Sequence, residues 1–244
     1  SRMRWMAFGA GLLLAPDMLS YHISMIFIGI GIATLIGNSQ VIIVTLVSWK
    51  LLGEKPNPAI LISLPVVMLG LVLISGIADA EPYGEDPVKG VMFGIFTAFC
   101  YSAFLIAFRY CNKDLAPVSS VQFDATAGAA IGLLVLGVLP LSRFAVEPVD
   151  FEPAWPGHGW LMLLAILSQV GGWLAVAYAL PRLPAAHTSF AILLQPVLTL
   201  VWGFLILNQD GHSTNQIIGI ILVLAAIISV TIYGSAASDR TVSE

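Results

Sequence analysis

The sequence predicts an all-α integral membrane protein with eight transmembrane helices, and three observations carry that expectation. Hydrophobic residues make up 58% of the 244-residue chain and charged residues only 10%, against ~25% charged in soluble globules. The mean hydropathy is +0.93. The apolar runs are ~20 residues long and continuous, the length a helix needs to cross a ~30 Å hydrocarbon core. Barrel strands would instead alternate over ~10 residues. Finally, the stretch Ile30–Pro56, an apolar segment ending in the turn Gly53-Glu54-Lys55-Pro56, recurs later in the chain. An offset of 155 residues lays Trp5 on Trp160, Gln40 on Gln195, and Gly53-Glu54-Lys55 on Asn208-Gln209-Asp210.

The eight spans fall roughly at 5–28, 32–52, 58–78, 88–109, 118–141, 158–181, 186–207 and 214–234. Short connections suit antiparallel neighbours in a bundle. Two longer loops are acidic, Asp79–Pro87 and Ser142–Pro156. Counting sides alternately puts Arg2, Arg4, Lys50, Lys55, Arg109, Lys113, Arg182 and Arg240 on one face, and Lys89 and Arg143 on the other. Cytoplasmic loops are the ones enriched in Lys and Arg, so both termini are expected in the cytoplasm, in a bacterial inner (cytoplasmic) membrane. The two copies of the repeated unit then run in opposite senses, the inverted-topology arrangement of many secondary transporters.

Other function classes fit less well. The net charge of −4 is spread over loops, which offers no basic patch for nucleic acid. Cys100 and Cys111 share one predicted helix about 16 Å apart at 1.5 Å per residue, and no Cys/His spacing suggests a metal site. No GxxxxGK[ST] loop is present to hold ATP, so no cofactor is expected and transport would draw on a gradient or on exchange. An intramembrane enzyme would need paired catalytic groups at membrane depth, and Asp17 has no second carboxylate there. A membrane-embedded sensor or receptor, or such an enzyme, stays open as the alternative. The expected partners are a small-molecule substrate and membrane lipid; a homodimer is compatible with the sequence.

The run Leu51-Leu52-Gly53-Glu54-Lys55-Pro56, the glycine-containing span Val67-Met68-Leu69-Gly70-Leu71-Val72, Leu194-Gln195-Pro196-Val197-Leu198-Thr199 and Gln216-Ile217-Ile218-Gly219-Ile220-Ile221 together resemble the drug/metabolite transporter superfamily, EamA type. The resemblance implies ten helices in two inverted five-helix repeats (5+5), a central substrate cavity, and transport, usually export, of small metabolites or drugs. It divides the chain into 1–80, the remainder of a first repeat with three helices; 81–236, a second repeat with five; and a cytoplasmic tail, 237–244. The first two helices of the ten are then expected to lie before Ser1. Asn208-Gln209-Asp210 departs from the turn pattern of the first repeat.

Ionisable groups in hydrocarbon are costly and default to functional candidates. Asp17 heads them: Asp17, Ser20, Tyr21 and Ser24 share one helical face, and the adjacent Pro16 frees a backbone carbonyl. Asp17 would take a cationic substrate group or a coupling proton; the alternative is that it bonds a neighbouring helix or faces headgroups. His22 lies about 100° around the same helix and is the second candidate for ion coupling. Gln40 and Gln195, the repeat-related pair, are further substrate-binding candidates, with Thr199 on the stripe of Gln195. Gln169 and Trp173 form an i, i+4 pair, and Tyr101 and Phe104 could add aromatic walls. Interhelical hydrogen-bond glue is the plainer role for each amide and hydroxyl. Asp124, Gln122 and His187 are expected near the interface as cap or headgroup contacts, Arg109 is expected to snorkel to cytoplasmic water, Gly29-Ile30-Gly31 is expected to supply a flexible turn between the first two spans, and Gly171-Gly172 to interrupt the sixth.

Overall fold

The computed structural model describes residues 2–75, 86–112, 117–138, 155–198, 201 and 214–241. Every regular element among them is helical: α1 (Arg2–Leu12), α2 (Leu14–Asn38), α3 (Gln40–Leu52), α4 (Pro58–Ile74), α5 (Pro87–Cys111), α6 (Val118–Val138), α7 (Gly157–Leu163), a π-helix over Leu164–Gly172, α8 (Trp173–Ala179), α9 (Ala185–Ile192) and α10 (Thr214–Thr241). Five helical stretches are long and apolar enough to cross a membrane, Met3–Leu52, Pro87–Cys111, Val118–Gly137, Gly157–Ala179 and Thr214–Tyr233. Pro58–Ile74 and Ala186–Leu198 are apolar but shorter. Residues 79–85 and 142–154 of the two acidic loops and the Asn208-Gln209-Asp210 turn lie outside the described residues.

Two local breaks organise the first fifty residues. At Leu13 the α-helical ladder is interrupted, with the Leu13 N–H turning to Ala10 O at 3.1 Å. Pro16 explains it, because a proline has no N–H to give to the carbonyl four residues back, here that of Leu12. At Gly29 the backbone leaves helical space altogether (φ 78°, ψ 160°), a conformation open to glycine and strained for other residues. The chain reverses there. Tyr21 Oη meets Thr34 Oγ1 at 2.7 Å, whereas 13 residues of straight helix would hold them about 20 Å apart. Residues 20–52 therefore form a helical hairpin, and the turn expected at Gly29-Ile30-Gly31 is present.

The chain forms two compact units, Ser1–Leu19 with Ala103–Leu183, and Ser20–Ser102 with Pro184–Glu244. In the first, α1 packs along α6 at backbone contact. A Cβ on Gly11 would collide with the Ala125 carbonyl, and one on Gly128 with the Phe8 carbonyl. Small residues at such crossings let helices approach where lipid gives no hydrophobic drive between them. The Arg109 Nε donates to Leu180 O at 3.1 Å and the residue is 6% exposed. This corrects the snorkelling expectation: the guanidinium is anchored by a backbone carbonyl inside the protein.

In the second unit α4 and α10 cross at another glycine pair, where a Cβ on Gly219 would lie 2.6 Å from Gly70 O. Val41, Ile60, Val67, Leu71, Phe190, Leu193, Val223 and Val230 form the core around α3, α4, α9 and α10. The turn between α3 and α4 is readable residue by residue. Gly53 caps α3 in the left-handed conformation (φ 70°), its N–H returned to Ser48 O. Asn57 then caps α4, its Oδ1 accepting the Ile60 N–H at 2.9 Å, with Pro58 at the first helical position, where its missing N–H costs nothing.

Candidate functional site

In the first unit the chemistry begins with Asp17, carried near the start of α2 just after the Pro16 break. Its side chain is buried (8% exposed) on a helix otherwise rich in apolar residues. Burying a carboxyl this way requires compensation or use.

The same unit holds an aromatic corner. Phe104 and Phe108, one turn apart on α5, stack at 5.1 Å between centroids, and Trp173 meets both edge-on at 5.3 and 6.5 Å. The sequence pointed to Phe104 as a wall and to Trp173 as a contact; Phe108 went unmentioned, although its i, i+4 spacing from Phe104 was the available signal. Gln169 and Trp173 are joined, Trp173 Nε1 donating to Gln169 Oε1 at 3.2 Å, and Gln169 is exposed.

Asp124 is a correction. It was expected as an interfacial cap or headgroup contact, and it forms a bidentate ion pair with Arg4: Nε and Nη2 each reach a carboxylate oxygen at 2.8 Å. Asp124 is 8% exposed. The pair walls a pocket of about 480 Å³ with Trp5, Phe8 and Ile131. Asp17 does not line it, so this pocket is not the cavity the sequence anticipated around that residue.

In the second unit, Tyr21 is held by its bond to Thr34, and His22 meets Tyr21 edge-on at 6.0 Å but is itself exposed. Beside them Ser24 Oγ donates to Gly90 O at 2.9 Å. Gly37 lies opposite the Tyr21 ring and Thr97. Tyr101 is half-buried on α5. Gln40 is 1% exposed at the start of α3, and neither its amide oxygen nor its nitrogen meets a hydrogen-bond partner among the described residues; the same holds for the buried Thr45 hydroxyl. Gln195 is exposed, and Thr199 lies outside the described residues. The repeat-related glutamines thus occupy different environments. Thr34 and Thr45 were missed by sequence reasoning, since lone threonines in apolar helices carry no pattern of their own.

Residues 88–232, more than half of the chain, match the EamA-like transporter family. The chain belongs to that family. It is also 26% identical over 230 residues to an uncharacterized transporter of Synechocystis sp., covering 91% of this chain and 65% of the relative. A second uncharacterized transporter, from Archaeoglobus fulgidus, is 25% identical over 191 residues, covering 78% and 63%. The chain thus spans just under two thirds of the length of these curated relatives. A solved crystal structure superposes with a TM-score of 0.72 at 19% identity, over 94% of this chain and 77% of that one, which speaks to fold alone. Family membership and the apolar helices make this an integral membrane protein.

Proposed function

We propose that the protein is a secondary active transporter that moves small organic metabolites or drugs, in the export direction, by alternating access. Its buried carboxyl Asp17 would receive the cationic group of a substrate or a coupling proton. The observation that carries this reading is the conjunction of EamA membership with an acid 8% exposed in an apolar, proline-broken helix. No catalytic chemistry is assigned to it.

The architecture we infer is eight spans that belong to a ten-helix, inverted 5+5 plan. The hairpin at Gly29 makes two crossings of Met3–Leu52, and Pro58–Ile74 and Ala186–Leu198 add to the four other long stretches. Packing of α4 on α10 supports the duplication, because the 155-residue offset carries 58–74 onto 213–229, the first part of α10. Both termini would be cytoplasmic, in a bacterial inner membrane. Tyr21, Gln40, Tyr101, Gln169, Trp173, Gln195 and Thr199 remain substrate-binding candidates and His22 a coupling candidate. A homodimer stays compatible with this reading.

The test is a thermal-shift screen of the purified protein with amino acids, purines and cationic drugs, repeated on Asp17→Asn. A hit whose shift shrinks at least tenfold in apparent affinity in the variant supports the role of Asp17. Equal shifts in both proteins remove it.

A further inference from the structure

The π-helix over Leu164–Gly172 is the most unusual backbone in the described chain. Such helices occur mostly as single-turn bulges and concentrate at functional sites; this one runs nine residues between α7 and α8. Tertiary packing does not explain it. None of its residues is buried, with Ile166, Leu167 and Val170 exposed by 61, 66 and 52%, and Gly172 has nothing within 4 Å of where a Cβ would stand. Local sequence does: Ser168, Gly171 and Gly172 are weak α-helix formers. Downstream the helix is gripped, Ala177 being fully buried and Trp173 set in the corner with Phe104 and Phe108.

We propose that Leu164–Gly172 is a register switch, which exchanges π pairing (i to i+5) for α pairing (i to i+4) and so turns the α7 half of the helix relative to α8. Each residue taken up in the exchange rotates one half against the other by about 100° and shifts it by about 1.5 Å. The gripped half stays and the exposed half turns, carrying Gly157–Leu163 with it. A place for this motion in a transport cycle rests on the transporter reading; the switch itself does not.

The test is a spin-label distance measurement on the full chain in lipid nanodiscs. Labels go on Leu161→Cys and Ala175→Cys, with Cys100 and Cys111 replaced by Ala. The wild-type segment gives two distance populations. Gly171→Ala with Gly172→Ala, which favours α pairing, collects at least tenfold more of the population near the ~21 Å backbone separation of 14 α-helical residues. A single distance, unchanged by the two alanines, overturns the proposal. Should the double variant fail to fold, hydrogen exchange on the wild-type segment decides. Amides of 164–172 exchanging at least tenfold faster than those of Trp173–Ala179 support the switch, and equal protection refutes it. Two distances in a protein that exchanges no solute would strike the transporter reading and leave the switch standing.

Discussion

Two glycines two residues apart on α1 should respond to the same substitution with opposite signs. At Gly9 an added Cβ meets nothing within 4 Å, whereas at Gly11 it would run into the Ala125 carbonyl of α6. Gly9→Ala therefore gains only helix propensity, up to ~1 kcal/mol. Gly11→Ala gains the same propensity but must push α6 away, because alanine has no rotamer with which to dodge and the obstacle is backbone. Overpacking of this kind costs about 1–3 kcal/mol, so the net effect is a loss of up to ~2 kcal/mol. The two variants should differ by about 2 kcal/mol, which at ~2–4 °C per kcal/mol for a chain of this size is roughly 4–8 °C in apparent Tm. Thermal unfolding of both variants in the same detergent, followed by circular dichroism, measures it. If both shift the same way by similar amounts, the α1–α6 crossing is not at backbone contact and the account of how small residues build this unit is wrong.

Gln40→Leu should raise stability by about 1–3 kcal/mol, because it removes a buried amide with neither atom bonded; a matching fall in Tm would mean that the amide is satisfied in the membrane. Asp124→Asn and Arg4→Gln should each loosen the α1–α6 end, seen as faster hydrogen exchange in Arg2–Leu12, while the double variant should be no worse than either single one. Phe104→Ala should cost about 3–5 kcal/mol as a buried aromatic truncation and should red-shift Trp173 emission by admitting water to the corner. A melt within 1 kcal/mol of wild type would show that the corner is not close-packed.

Much of the helical layout was legible because hydrocarbon thickness imposes it. A span must be ~20 apolar residues, so Pro87–Cys111 and Val118–Val138 begin within a residue or so of where the apolar runs begin. The turn at Gly53-Glu54-Lys55-Pro56 was legible for a different reason: its glycine suits the left-handed cap that ends α3, and Asn57 and Pro58, which follow it, suit the start of α4. The Gly29 reversal could be read because a doubled glycine was flanked by two full-length spans.

The partners of side chains were less legible. Arg4 and Asp124 are 120 positions apart, and a helix-by-helix reading assigns each to its own interface. Arg109 read as a snorkelling cation because its spacing from the helix end fits one; the carbonyl of Leu180 that anchors it comes from a break in another element, which no local pattern announces. Gly171-Gly172 was seen to interrupt its helix, but propensity alone does not distinguish a kink from a widened turn. The two glutamines align in sequence and differ in burial, because an offset between two stretches of sequence says nothing of the neighbours each side chain meets.

The central claim is that this chain carries a solute across a membrane through chemistry at Asp17. Counterflow in proteoliposomes tests it most directly: vesicles loaded with an unlabelled solute found to bind the protein are placed in trace labelled solute, and the transient accumulation of label is followed. The account predicts an overshoot with the wild-type protein and its loss, by at least tenfold, in Asp17→Asn reconstituted to the same density. An undiminished overshoot in that variant would contradict the role of Asp17, and binding without any exchange of label would contradict the transporter reading itself.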